Sequence, residues 1–268
     1  MNAFLFLLPA FVACVLLTGI HTYLGIHVVR RGIIFVDIAL AQIAALGMIV
    51  ALGLGFEEGS PWVYFFGLIF TACGSLLFSL FRDEKIPQES LIGVAFAVSS
   101  ALAIVVADHM SHGAEHLKEI LSGNILWVTW PQILKTTCIY SLMGIFHFIF
   151  RKNFLLVSSD PAQAQSQGLK VWYWDLLFYL SFGIIITSSV QIAGVLLVFS
   201  FLIVPTLCSI LFFESLKRRL FSGWGIGVLV SLVGILLSLW KDLPTGPAIV
   251  VCFGFFLGCC LIGRKVLK

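Results

Sequence analysis

The sequence predicts an all-α, polytopic membrane protein of about nine transmembrane helices. Three observations carry that prediction. Of 268 residues, 60% are hydrophobic and only 11% are charged, where a soluble domain is nearer about 25% charged. The apolar residues come in blocks of roughly 20, the length of helix that crosses about 30 Å of hydrocarbon. Finally, the blocks do not show the alternation that the strands of a membrane barrel require.

Nine spans follow in order, at about 3–27, 33–55, 61–81, 88–107, 133–150, 173–189, 192–213, 221–240 and 244–263. The first is read as a membrane helix. "FVAC" resembles a lipoprotein cleavage box, but no basic residue precedes the apolar run as a leader requires. The boundary between the sixth and seventh spans rests on "SSVQIAG", the one polar break in a long apolar run. "DLPTG", Asp242 to Gly246, is read as a turn, with proline at its second position and glycine at its end. Two connections are long, Asp108 to Gln132 and Arg151 to Trp172. No low-complexity tract or linker divides the chain, so it is expected to form one membrane domain over 1–268.

Charge sets the orientation. With the amino terminus outside and the carboxyl terminus in the cytoplasm, the inside receives Arg30, Arg31, Arg82, Lys85, Arg151, Lys152, Lys170, Lys217, Arg218, Arg219, Arg264, Lys265 and Lys268. The outside receives only Lys118, Lys135 and Lys241. Thirteen against three is the positive-inside asymmetry. The net charge of +3 is therefore an orientation signal and implies no nucleic-acid partner. Tryptophans fall at both sets of span ends, Trp62, Trp127, Trp130 and Trp240 outside and Trp172, Trp174 and Trp224 inside, as an aromatic belt does. The seven cysteines lie in apolar segments without a CxxC, so neither a disulfide framework nor a zinc knuckle is indicated.

The inside connection contains "SSDPAQAQSQGLK". Asp160 can cap a helix whose first position is Pro161 and whose end is Gly168. A helix of about two turns is marginal alone in water, so it must rest on its own protein or sit in a groove of another.

Several segments together resemble the permease subunit of the metal-ion ABC importers, the zinc, manganese and iron type. They are "RRGIIFVDIALAQIAALG", "QESLIGVAFAVSSALAI", "SSDPAQAQSQGL" and "VQIAGVLLVFSFLIVPTLCSIL" followed by "KDLPTGPAIVV", in the family's order. "SGNILWV" is similar to the family's "GDILAV" element. The resemblance implies ATP-driven import across the cytoplasmic (inner) membrane of a prokaryote by alternating access. It also implies a homodimer of this subunit, two cytoplasmic ABC ATPases and an extracytoplasmic metal-binding protein. Asp160, Pro161, Ala164 and Gly168 match the family's "DP-E-A-x-x-x-G" helix, which couples to the ATPase. The chain carries no GxxxxGK[ST] phosphate loop, so ATP enters only through the partner and the subunit is not itself an enzyme.

The family's second helix carries Asp and, four residues later, His as metal ligands. Here Gln42 stands at the histidine and Ile38 at the acid, with Asp37 one residue early. Asp37 and Gln42 lie about 140° apart around an ideal helix. A carboxylate at membrane depth costs about 2.5–3.5 kcal/mol even on the mildest scale. Asp37 is therefore either a pathway ligand or one half of an ion pair with a basic residue such as Arg31. A second candidate lies outside in "DHMSHGAEH": a helix would gather Asp108, His109, His112, Glu115 and His116 on one side. That set can bind a metal, contact the binding protein, or be plain solvated surface. Pro205 within the seventh span is a gate kink or a packing bend. His21, His27 and His147 are read as structural, and Asp175 and Gln191 as needing no special role.

The cargo is expected to be a divalent transition metal. Zinc comes first by family frequency and the outer histidines, with manganese or iron next because of the oxygen donor of Gln42. An ATPase-independent transporter or channel is a further reading, against which no matched broken helices are visible. An intramembrane metalloenzyme is another, against which no HExxH, GxSxG or paired-acid motif appears.

Overall fold

The computed structural model describes residues 3–81 and 86–266, with side chains from Phe6 onward. Arg82, Lys85 and Lys268 of the basic set lie outside the described residues. The described residues form twelve α-helices: α1 Ala3–Arg31, α2 Val36–Gly53, α3 Pro61–Leu80, α4 Gln88–Asp108, α5 Gly113–Ser122, α6 Trp130–Ile149, α7 Arg151–Ser159, α8 Pro161–Ser166, α9 Val171–Ala193, α10 Val195–Phe212, α11 Leu216–Lys241 and α12 Thr245–Val266. Among the described residues, eight helices are long and apolar enough to cross a membrane. A ninth span is reached when α6 is joined to α7 across a 75° bend. The sixth and seventh spans part at one residue, Gly194, whose φ of 75° ends α9.

The chain divides into two compact units. One holds Met1–Ile26, Ser122–Thr137 and Ile192–Lys268, the other His27–Leu121 and Cys138–Gln191. In the first unit, α10, α11 and α12 pack on one another. Small residues let the backbones approach, as membrane interfaces require. Gly223 sits against Thr22 and Gly227 against Thr18, and a Cβ on Gly234 would lie 2.7 Å from Ile249 Cα. At Gly254 and Gly258, by contrast, an added Cβ would point into open space. Gly123 and Gly194 both have positive φ, and a side chain on either would strike the backbone at the other. The α11–α12 turn places Asp242 in the left-handed region at φ 52° and is closed by Ser238 Oγ, which donates to Leu243 O at 2.6 Å. Pro205 is buried within α10, which runs unbroken past it.

In the second unit, α2 is the most enclosed span, 78% of it buried, with α3 and α4 packed on it. A Cβ on Gly47 would lie 2.6 Å from Phe66 O, so only glycine lets α3 approach so closely. Helix α9 carries a ladder of polar side chains that bond to its neighbours. Thr187 is hydrogen-bonded to Thr71 at 2.9 Å, Ser188 to Tyr64 at 2.7 Å and Ser189 to Tyr140 at 2.6 Å. Ser181 meets His147 at 2.8 Å, and Gln88 Nε2 donates to Tyr179 Oη at 2.8 Å. At the α9 start, Asp175 accepts a charged hydrogen bond from Arg31, whose guanidinium also lies 4.1 Å from the centroid of Phe178.

Two expectations are corrected here. Asp175 has a definite role as the counter-ion of a buried arginine, with side chains 7% and 1% exposed. Trp174 is no belt residue, because its ring packs between Phe150 and Phe154 at 5.6 and 5.4 Å. The other six tryptophans are exposed, as a belt requires.

Removing one partner of a buried ion pair strands the other. Asp175→Leu should therefore destabilise the protein by about 3–5 kcal/mol, seen as a lower unfolding midpoint in detergent. The double variant Arg31→Met/Asp175→Leu should recover most of the loss. An unchanged midpoint in the single variant would show that the pair contributes nothing.

Candidate metal pathway and coupling helix

The pathway candidates are set by the α1–α2 junction. Gly32, at φ 68°, turns the chain after the basic end of α1. The amide of Phe35, just ahead of α2, donates to Glu89 Oε1 at 3.0 Å and ties α4 to that helix start. Asp37 then falls in the first turn of α2, where the helix dipole favours an acid. Its side chain is fully buried, and among the described residues neither carboxylate oxygen has a hydrogen-bond partner. Arg31 is committed elsewhere, to Asp175 and to Ser158 Oγ at 2.9 Å. The ion pair offered as the alternative for Asp37 is not formed with it.

Gln42 is also buried, 4% exposed. The 140° between it and Asp37 does not put either in lipid, because α2 is enclosed around nearly its whole circumference. The hydroxyls of Tyr140 and Tyr64 pair with Ser189 and Ser188 of α9, contacts that sequence spacing did not reveal, since α3, α6 and α9 come together only in the fold. The three histidines near α1 and α6 are structural in geometry. His21 Nδ1 bonds to Leu17 O at 2.8 Å, His27 Nδ1 to Ser158 Oγ at 2.9 Å, and His147 Nε2 to Ser181 Oγ at 2.8 Å.

The loop "DHMSHGAEH" is not one cluster. The helix expected to gather its histidines begins only at Gly113, so His109 and His112 lie before it. His109 Nδ1 turns back to Val105 O at 2.8 Å, and His112 Nδ1 meets Glu115 Oε2 at 3.1 Å. Asp108, His112 and Glu115 line an open cleft of about 310 Å³. His116 turns away to Glu58 Oε2 at 3.7 Å. With Glu119 it forms the one group of three possible ligands among the described residues, their ligand atoms all within 4.8 Å of one another. Glu58 and Glu119 were missed because they stand some sixty residues apart in the chain, although the His116–Glu119 spacing of three on a helix was visible.

Helix α8 is built as its residues dictate. Asp160 accepts from Gln163 N at 2.9 Å, Pro161 opens α8, and Ala164 is fully buried. Gly168, at φ 83°, ends it in a Schellman arrangement: Leu169 N donates to Ala164 O and Gly168 N to Gln165 O, both at 3.0 Å. Just before it, Ser158 and Ser159 bond the end of α1, Ser158 through His27 and Arg31 and Ser159 from Arg30 at 3.2 Å. A cavity of about 160 Å³ between Arg30, Arg31, Gln88 and Pro161 lies beside this contact.

The family model of the ABC 3 transport family matches residues 3–263. Halalkalibacterium halodurans has a similar protein, "Manganese transport system membrane protein MntC", 26% identical over 248 residues, covering 92% of this chain and 83% of that one. Another, "Chelated iron transport system membrane protein YfeD" of Yersinia pestis, is 26% identical over 98% of this chain and 87% of its own. In fold the chain is similar to a chain of PsaBC from Streptococcus pneumoniae, solved in complex with Fab, with a TM-score of 0.79 at 21% identity over 97% of this chain and 92% of that one.

The cap on α8 can be tested directly. Asp160→Ala removes an N-cap worth about 1 kcal/mol, which corresponds to about fivefold faster hydrogen exchange at Gln163 and its neighbours. Exchange unchanged in that variant would mean that α8 is held by its surroundings alone.

Proposed function

Because the chain belongs to the ABC 3 transport family, we propose that it is the membrane-spanning permease subunit of an ATP-driven importer of a divalent transition metal ion, manganese or iron ahead of zinc. The observation that carries this reading is Asp37, a buried carboxylate in the most enclosed span, neither oxygen of which has a hydrogen-bond partner among the described residues. An unpartnered charge in such a place is stable only when a proton or a cation neutralises it. A permease whose cargo is a cation supplies that partner each cycle.

Three points favour manganese or iron over the zinc expected from the histidine-rich loop. The side chains offered along α2 are a carboxylate and an amide, and oxygen donors suit harder ions such as Mn²⁺. His21, His27 and His147 are hydrogen-bonded to the protein. The similar proteins of H. halodurans and Y. pestis carry manganese and chelated iron in their names.

The rest of the reading follows the family. The subunit lies in the inner membrane of a prokaryote with its amino terminus outside and its carboxyl terminus in the cytoplasm, as the lysines and arginines favour. It works as one permease domain and pairs with a second copy. It receives its cargo from an extracytoplasmic binding protein and is driven by two ABC ATPases. Those ATPases engage α8, with Ala164 and Gly168 shaping the contact. Movement of α8 passes through Ser158 and Ser159 to the α1–α2 junction, five residues from Asp37. Pro205 bends or gates α10 in the same cycle.

The test is uptake into proteoliposomes holding this subunit, its co-encoded ATPase and its binding protein, with Mn²⁺, Fe²⁺ and Zn²⁺ compared. ATP-dependent uptake of Mn²⁺ or Fe²⁺ is expected, falling at least about tenfold in Asp37→Asn with the complex still assembled. That is the scale on which even outer-shell partners of a metal act. Full uptake in that variant would remove Asp37 from the pathway, and uptake without ATP would overturn the importer.

A further inference from the structure

We propose that Glu58, His116 and Glu119 form a capture site for a first-row divalent cation, separate from the pathway residues on α2. Glu58 belongs to the turn between α2 and α3, and His116 and Glu119 to α5. From Asp37 to Gly53, α2 rises about 24 Å at 1.5 Å per residue. The cluster therefore stands at the opposite end of the helix from Asp37. That this end faces outward rests on the orientation proposed above.

The geometry sets these three side chains apart from scattered surface acids. They come from segments about sixty residues apart in sequence, so their meeting is a product of the fold and not of helical spacing. An apolar cluster that takes residues from both segments holds them together. Met48, Ala51 and Val63 form its buried part, with Phe56 from the turn and Ile120 from α5 packed against them. Phe56 further stacks on Trp62 at 5.8 Å. The residues two before Glu58 and one after Glu119 are thus fixed to the same core. Gly113 lets α5 start hard against Ala107, where any side chain would collide with backbone.

The donor set indicates the cargo class. One imidazole nitrogen and two carboxylate oxygens make a mixed N/O site. Imidazole suits manganese's first-row neighbours and zinc more than Mg²⁺ or Ca²⁺, which take all-oxygen shells. No thiolate is present to select a soft ion. Without a cation the two carboxylates oppose each other: the Glu119 carboxyl is pushed above its ordinary range, first by burial and next by Glu58 beside it, although His116 offsets part of this. Glu58 and Glu119 are exposed and His116 is half-buried, so water completes the coordination and exchange is fast. Such a site suits hand-over better than storage.

The test uses Mn²⁺ alone, on the full chain in nanodiscs of neutral lipid, read by electron paramagnetic resonance. The native protein and Asp37→Asn should both bind one Mn²⁺ whose electron-spin-echo signal shows coupling to an imidazole ¹⁴N. His116→Gln should lose that coupling, and Glu58→Gln/Glu119→Gln should weaken that ion about tenfold or more. Absence of ¹⁴N coupling in the native protein would reduce the cluster to a surface ion pair and overturn the inference, as would coupling that survives in His116→Gln. The native measurement needs no variant to fold. It is also independent of uptake: ¹⁴N-coupled Mn²⁺ together with unimpaired uptake by Asp37→Asn would retain the capture site and reject the pathway reading.

Discussion

A polar side chain inside a hydrocarbon slab must find its partner within the protein, because no water is there to serve it. That constraint organises the unit built from residues 27–121 and 138–191 around a single helix. Helix α9 presents a hydroxyl, phenol or carboxylate on turn after turn, and each answers a group on another helix: Arg31 on α1, Tyr64 and Thr71 on α3, Gln88 on α4, Tyr140 and His147 on α6. Van der Waals packing between apolar helices does not fix register by itself, since lipid is as apolar as leucine. Interhelical hydrogen bonds, typically about 0.6 kcal/mol each in membranes, are individually small. Placed along one helix, they define the height of four others against it.

Asp37 departs from that rule within the same unit. Every threonine and serine in the α9 ladder is answered, whereas the one carboxylate of α2 has both oxygens unanswered among the described residues. The contrast with Asp175 is instructive, because both acids are fully buried and both lie near a helix start. Asp175 is neutralised by a fixed guanidinium and belongs to the architecture. Asp37 has no fixed counter-ion among the described residues, which is what the proposed pathway role requires of it. The end of the unit nearest α8 connects the two situations. Arg31, which neutralises Asp175, also bonds Ser158, three residues before α8, and stands next to Gly32, where the chain turns toward Asp37.

How much of this the sequence revealed depends on whether the information was local. Span positions follow from hydropathy and came out within a few residues, and the break at Gly194 is the last residue of the polar stretch "SSVQIAG". The Asp160 cap and the Gly168 terminator are properties of consecutive residues, so they too were legible. What was lost is tertiary. Asp175 looked idle because its partner is 144 residues away. Trp174 looked like a belt residue because nothing in its neighbourhood announces Phe150 and Phe154 closing on it. The histidine loop looked like one cluster because a continuous helix was assumed, whereas that helix starts at Gly113 and leaves His109 and His112 to partners of their own. His116 was placed with the wrong companions for the same reason: Glu58 comes from another turn altogether.

The acids at the two ends of α2 also differ in what they can do, by environment alone. Glu58 and Glu119 are exposed, so water screens their charge and a cation bound there keeps much of its hydration. Such binding is weak and fast, and the local selectivity comes from the imidazole of His116. Asp37 offers the opposite conditions. A cation reaching it must shed water, because the Asp37 side chain is fully buried. The Coulombic attraction there is correspondingly large, and the ion would be held. A pathway with a wet, exchangeable first station and a dry, tight second one runs downhill in affinity toward the protein interior. Release from the second station then requires work, and in the proposed cycle that work comes from outside the chain, through α8, at the same junction where Asp37 begins.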